Sequence, residues 1–499
     1  MQNRAVIEGL ERRQLLAAAI RGTVFVDADR DGNFDAGEAT VAGRTIYSDK
    51  NNNGRLDTGE TSTVTNSSGA YQLTNLAAGT YKIRQILPAG FSQTSPANNY
   101  GNNATLTANQ TKTGMNFGTI SVETNPLGIS IAAAFAYAQT ALTRTMNDIG
   151  NNANTFVERT RTDGTWKTVN ASHWTAGFLA GTMWQIYDNV GTSAWRLNAT
   201  KWTTPLASQV NQAGDLAFKF ITTYLPLWKS SNDPAHLKVL LDAAASKNRQ
   251  WNETVGAFRT TWFNSRSGNP RANFAVLMDM TTDMELLMFA GKQTGNQQYI
   301  DRAIAHTQKV IANQVRADGS ISQFGMYDSA NGDFILQETY QGYSNQSTWS
   351  RGQAWAIQSL STMARETGRA DFASAAKKVA DYFIDNSPAD FVPYWDFNHP
   401  DIPNTYKDSS AAAVAASGML ELSKLLTDPT EKAKYKTAAE NILKSLLSPS
   451  YFAQGTIHRG LIQHGAVNIP NDQYGRDSSV IYGDYYLLKA MNQWRAMAA

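Results

Sequence analysis

A change of hydrophobic period near residue 120 limits the fold more than any other feature of the sequence. Before it, short apolar runs alternate with polar residues and end in Gly, Asn, Asp and Thr, as in "RTIYSD", "GAYQLTNL" and "GTYKIRQIL". Alternation closed by turn residues predicts strands, and about 100 residues of it predict a small antiparallel β-sandwich. After "NFGTISVETNP" the apolar residues recur with helical spacing, in segments of about 12 to 20 residues punctuated by Gly, Asp and Pro. The 499 residues therefore divide into a leader-like segment 1–20, a sandwich 21–120, a linker 121–140 and an all-α domain 141–499.

Within the helical domain a single unit recurs: a helix, a short polar turn, then an aromatic or His leading an Ala-rich helix. His236, Tyr299, Phe372 and Tyr435 occupy that leading position at near-regular intervals. Such repetition predicts helical hairpins packed side by side, and the period alone fits a closed ring or an open solenoid equally.

Composition narrows the function classes. The 44 basic and 42 acidic residues give no net field suited to nucleic acid or an anionic membrane, so an acidic ligand has to be met locally. With no cysteine, thiol catalysis, disulfides and thiolate metal sites are excluded. The longest apolar runs fall short of the roughly 20 residues that span a bilayer. The N-terminus is a poor match to a standard signal peptide. It contains "LERRQLLAA" (Leu10 to Ala18), which resembles the LEPR-x-LL segment of bacterial secreted proteins and reads otherwise as an amphipathic helix.

Two loops in the strand region fit the twelve-residue calcium pattern of oxygen-bearing side chains with Gly at its sixth position and Glu at its last. The first carries Asp27, Asp29, Asp31, Gly32, Asp35 and Glu38; the second carries Asp49, Asn51, Asn53, Gly54, Asp57 and Glu60. Crowded carboxylates repel one another unless a hard cation lies among them, which makes structural Ca²⁺ the expected ligand. The flanking runs "TVFV" and "RTIY" are β-type, so these loops lie between strands rather than EF-hand helices. With "GAYQLTNLAAGTYKIRQ" and the closing "MNFG", this region resembles the SdrD-type B domain, a Cna-B-like sandwich of bacterial surface proteins. The resemblance implies a secreted or cell-surface location.

Two aspartates stand out in the helical domain. Asp279 lies in "RANFAVLMDMTTDMELLMFAGKQTG", read as one helix apolar nearly all round, where poor solvation raises a carboxyl pKa. Asp283, four residues on, is expected to add repulsion and keep Asp279 protonated as a general acid. Asp215 begins the helix of "NQAGDLAFKFITTYLPLW", where the dipole favours an anion; from spacing alone it reads as an ordinary N-cap. One protonated and one ionised carboxyl is the usual division of labour in glycan chemistry. The segment "QETYQGYSNQSTWSRGQAWAIQSL" gathers Gln341, Trp349, Arg351, Gln353 and Trp355 ahead of a helix. Arg351 suits a substrate carboxylate in a bidentate pair, or equally a buried acid such as Asp408.

The stretches "WTAGFLAGTMW", "NETVGAF", "MDMTTDMELLMFA", "QGYSNQSTWSRGQAW", "PYWDFNHPDIPNTYKDSSAAAVAASGMLEL" and "DSSVIYGDYYLLKAM" together resemble glycoside hydrolase family 88, the unsaturated glucuronyl hydrolases. That resemblance implies an (α/α)6 barrel and a reaction without catalytic cofactor: hydration of the C4=C5 double bond of an unsaturated uronic acid at the non-reducing end of lyase-generated oligosaccharides. It implies Asp279 as proton donor, Asp215 as the second essential aspartate, and Trp174, Gln341, Trp349, Arg351 and Trp355 as substrate contacts. The family's pattern has His where this chain has Gly214 and Tyr340, and a third His whose place Gln323 takes, which adds Gln323 to the implied substrate contacts. Two other readings are an unsaturated rhamnogalacturonyl or other glycan hydrolase on the same barrel, and a non-catalytic extracellular glycan-binding protein.

Overall fold

The computed structural model describes residues 18–28, 31–88, 91–97, 101–121, 126–472 and 475–498. The leader-like segment up to residue 17 and Asp29 of the first acidic loop lie outside them. The chain forms two compact units, Met1–Pro126 and Leu127–Ala499.

The first unit is a two-sheet sandwich. One sheet runs Ala70–Leu76, Ala18–Val26, Phe117–Ser121, Phe91–Ser95, with the short strand Thr111–Lys112 also on Ala18–Val26. The other runs Ser62–Val64, Thr45–Ser48, Gly79–Gln85, Asn102–Leu106. Neighbours pair antiparallel, except that Ala18–Val26 lies parallel to Phe117–Ser121 and to Thr111–Lys112. Alternate side chains turn inward, so Ile20, Val24, Ile46, Tyr71, Leu73, Ile83, Leu106 and Phe117 share one small core.

The second unit is a ring of helical hairpins. Among the described residues its inner helices are Ala176–Val190, Leu216–Phe220, Met284–Thr294, Ser350–Thr367, Ser409–Leu425 and Ile481–Ala498; each packs on the next and the last on the first, closing the toroid. Outside them lie Pro126–Asp148, Ser193–Thr203, Pro234–Asn248, Gln297–Gln314, Ala370–Asn386 and Pro429–Leu446. The architecture is therefore an (α/α)6 barrel. The leading residues all lie on outer helices, His236, Tyr299 and Phe372 in the first turn and Tyr435 further along Pro429–Leu446. Ser409–Leu425 is buried over nearly its whole length, which its Ala, Ser and Gly content permits by allowing close approach from every side.

The stretch around Asp279 is not the single helix its apolar content suggests. Phe274–Leu277 is a strand, Met278–Asp283 a 3₁₀ turn, and only Met284–Thr294 is α-helical. The strand pairs with Phe324–Tyr327, which pairs in turn with Phe334–Glu338. A run buried on every side looks the same to a periodicity argument whether it is helix or strand, and here long-range pairing decides.

Candidate active site

Local backbone places the two aspartates. Asp279 follows the strand Phe274–Leu277, and Met278 N–H donates to the Gln323 carbonyl at 2.9 Å, tying this strand end to the next. Asp215 is the N-cap of Leu216–Phe220. That short helix lies hard against the inner helix Ala176–Val190: a Cβ on Gly177 would come within 2.1 Å of the Phe218 carbonyl oxygen, so only glycine fits the contact. Gly214, just before Asp215, has φ +117°, a conformation that any L side chain adopts only under strain. A histidine there would need a different backbone.

Both aspartates line one cavity of about 350 Å³, within the size range of small-ligand sites. Trp174, Phe218, Trp262, Tyr340, Trp349 and Trp355 supply aromatic wall, and Gln212, Lys219, Gln341, Arg351 and Asn468 supply polar groups. Trp174 packs within an aromatic cluster, 5.1 Å from Tyr482 and 5.8 Å from Phe218 between ring centroids, so its plane is fixed. Trp355 stands 4.8 Å from Phe218 and is fully buried apart from the edge it gives the cavity.

The carboxyls are held at different protonation. Burial, then the charge of Asp215, pushes Asp279 up to about 8, with Arg351 acting the other way. Burial, then Asp283, pushes Asp215 up to about 6, with Lys247 and Lys219 opposing. Near neutral pH the pair therefore carries one proton, on Asp279. The order agrees with the expectation from sequence, but two of its causes are corrected. Asp283 does not face Asp279; it accepts from the Ala217 N–H at 2.7 Å and pairs with Lys247 at 2.8 Å, both side chains fully buried. Nor does a helix dipole keep Asp215 ionised, because the helix has five residues and the side chain makes no capping bond. In each aspartate one oxygen, Oδ1, is shielded and met by no donor among the described residues.

Arg351 takes the buried-acid reading while keeping a place on the cavity wall. It is 2% exposed and pairs with Asp408 at 2.6 Å, while the Ala466 and Val467 carbonyls also accept from it. Asp408 in turn caps Ser409–Leu425 through Ser410 and Ala411 N–H. Yet Arg351 still lines the cavity, its guanidinium 4.7 Å above the Trp349 ring. A full bidentate grip on a substrate carboxylate is thus not open to it, since much of its fork is committed.

Gln323 is not on the cavity wall, contrary to the expectation for it. It is buried, its Oε1 accepts from Tyr340 N–H and Gln341 N–H at 2.8 and 2.9 Å, and its Nε2 donates to Gln341 Oε1 at 2.8 Å. It braces the turn that presents Gln341. Sequence reasoning missed Lys219, Tyr340, Trp262 and Asn468 as wall residues. For Trp262 the signal was its place among polar neighbours in "RTTWFNSRSG"; for Lys219 it was the helical spacing of four from Asp215.

A closed (α/α)6 barrel with an aromatic cavity around one protonated and one ionised carboxyl is the arrangement of a carbohydrate hydrolase. Residues 146–494 match Glycosyl Hydrolase Family 88, and residues 18–135 match the SdrD B-like domain. The unsaturated glucuronyl hydrolase of Formosa agariphila is 32% identical over 65% of this chain and 80% of its own length. That of Bacillus sp. (strain GL1) is 32% identical over 64% of this chain and 85% of its own. Among solved structures, an unsaturated glucuronyl hydrolase specific for heparin superposes with a TM-score of 0.68 at 29% identity, over 74% of this chain and 97% of that one. The Bacillus sp. GL1 enzyme, responsible for the degradation of glycosaminoglycan, gives 0.66 at 29% over 72% and 96%. The chain belongs to glycoside hydrolase family 88, and it is a glycosidase.

Proposed function

We propose that the barrel hydrates the C4=C5 double bond of an unsaturated uronic acid at the non-reducing end of a lyase-generated oligosaccharide and so releases it. The observation that carries this reading is the pair of cavity carboxyls drawn from separate segments, one held protonated and one ionised near neutral pH. Protonated Asp279 delivers its proton to C4, and positive charge develops at C5. Ionised Asp215 offsets that charge. The Asp279 carboxylate then takes a proton from the water that adds at C5. The resulting hemiketal opens and the sugar leaves. Trp174, Trp349 and Trp355 bound the ring, while Gln341, held by Gln323 and by the Val467 carbonyl, presents an amide to its hydroxyls.

The test is the ultraviolet absorbance of the conjugated uronate. It should vanish when lyase-generated disaccharides meet the protein, and saturated disaccharides should stay intact. Persistent absorbance together with cleavage of saturated substrates would instead establish attack at an anomeric carbon.

For the sandwich we infer structural calcium in an extracellular module. In the first loop Asp27 is fully buried, its Oδ2 accepting from Gly32 N–H at 3.1 Å while Oδ1 has no partner among the described residues, which suits a cation. The second loop fits less well as it stands: Arg84 pairs with Asp49 at 2.6 Å, and the Asn51 and Asn53 amides donate to Asp57. Among the described residues no group of three or more acidic or His side chains converges as a ready cage.

A further inference from the structure

Two of the cations on or behind the cavity wall have carboxylate partners: Arg351 pairs with Asp408, and Lys247 with Asp283. Lys219 has none within ion-pair distance among the described residues. It lines the cavity, 3% exposed, four residues after Asp215 in the same short helical segment. Its ammonium donates to the Ser172 carbonyl at 2.8 Å and to the Gln212 side-chain oxygen, both neutral acceptors. An ammonium has three N–H donors, and the protein uses two. A buried charge without an ionic partner is destabilising by several kcal/mol, so a cation kept this way beside a cavity has work there rather than in the core. Gly214 has no side chain to act on Asp215, and Lys247, the other cation that does, is already paired with Asp283.

We propose that Lys219 is a positioning residue of the hydrolase site: its ammonium keeps Asp215 a carboxylate and offers its remaining N–H to the oligosaccharide. The second half rests on the hydrolase reading above. The charged groups around Asp215 are Asp279 in the same cavity, Asp283 and Lys247 behind it, and Lys219. Burial holds the half-buried His173 low against the charge of Glu158, with Lys167 and then Lys219 adding to the lowering. Burial pushes Lys219 down to about 8, with Asp215 acting against it, so ammonium and Asp215 carboxylate coexist between about 6 and about 8.

Two measurements test this on the full chain. The first is the pH profile of kcat/KM on a lyase-generated unsaturated disaccharide for the parent, K219M and K219R. In K219M the acid limb should move up by about one unit, a loss of about tenfold on its steep part, with a raised KM; K219R should restore the limb. A K219M protein that melts like the parent and keeps the parental limb and KM overturns the proposal; K219Q replaces K219M if the latter does not fold. The second is a melting-temperature cycle of K219M, D215N and the double variant from about pH 5 to about pH 8. Non-additivity that appears only where Asp215 is ionised supports the coupling, and additivity throughout overturns it. Because the cycle needs no turnover, a parent inert toward unsaturated disaccharides that still shows the coupling sinks the hydrolase reading alone.

Discussion

Both units gather carboxylates, and they treat them in opposite ways. In the sandwich the acids come from adjacent positions on turns and their own loops hydrogen-bond them. The Asn33 side chain and backbone hold Asp31 below the usual carboxylate range; burial works to raise Asp49, but Gly54, Arg84 and Asn53 outweigh it and hold it low. In the barrel Asp215 and Asp279 come from segments far apart in the chain, lack such donors on Oδ1, and are pushed up by burial to about 6 and about 8. Carboxylates surrounded by N–H groups are built to stay charged and meet cations; carboxyls stripped of donors are built to exchange a proton.

The largest expected effect follows directly. Asp279→Asn and Asp215→Asn should each lower kcat on an unsaturated disaccharide by about 10²- to 10⁴-fold, read as the rate of absorbance loss. Asp31→Asn on the sandwich should leave that rate unchanged. A barrel variant with parental turnover would erase the functional side of the contrast.

Next comes the acid that breaks the pattern. Asp408 is as buried as any carboxylate in the barrel, yet it is ion-paired and accepts several hydrogen bonds. Asp408→Ala leaves Arg351 buried without its partner and uncaps Ser409–Leu425, so the barrel should lose about 3–5 kcal/mol in denaturant unfolding. A loss far below this would mean that the Ala466 and Val467 carbonyls alone satisfy the guanidinium.

The pH response sharpens the comparison further. Below about 6 Asp215 gains a proton, and above about 8 Asp279 and Lys219 each lose one, so kcat/KM should be bell-shaped with its maximum between. Stability carries the sign as well. Asp279 binds its proton more tightly folded than unfolded; between the ordinary carboxyl value and about 8 the unfolded chain therefore holds fewer protons, and stability falls as pH rises. Asp279→Asn should accordingly melt above the parent, by a few degrees at about pH 8 and by almost nothing at about pH 4. An equal gain at both values would place its origin in packing rather than charge.

How far the sequence could be read follows from the same contrast. The two acidic loops could be picked out as a pattern because it lies within twelve consecutive positions, whereas the Arg84–Asp49 pair that alters the second comes from a distant strand. The change of period gave the two domains, but ring closure needs contact between Ala176–Val190 and Ile481–Ala498, which no local pattern encodes. Asp279 and Asp215 could be picked out, whereas the groups that set their protonation could not: Asp283 was assigned to the wrong neighbour because a 3₁₀ turn rotates side chains differently from the α-helix assumed. Gln323 belongs to no helix, and its role as a brace depends on a strand pairing invisible in the sequence. Lys219 carried no motif beyond its spacing of four from Asp215, and the cavity wall gives that spacing its meaning.

Calcium addresses the sandwich alone. If the first loop holds the ion through Asp27, free calcium at ten times Kd should stabilise that domain by RT ln 11, about 1.4 kcal/mol. For a domain of about 100 residues this shifts melting by roughly 4–8 °C per kcal/mol, resolvable by calorimetry of the full chain with and without chelator. Asp27→Asn should abolish the shift and Asp279→Asn should preserve it. Asp49→Asn separates the two loops: because Arg84 already neutralises Asp49, removing that carboxylate should take away little of the calcium response and should instead loosen Arg84. A response that disappears with Asp49 and survives loss of Asp27 would reverse the assignment and make the second loop the ion's site, with Arg84 displaced on binding.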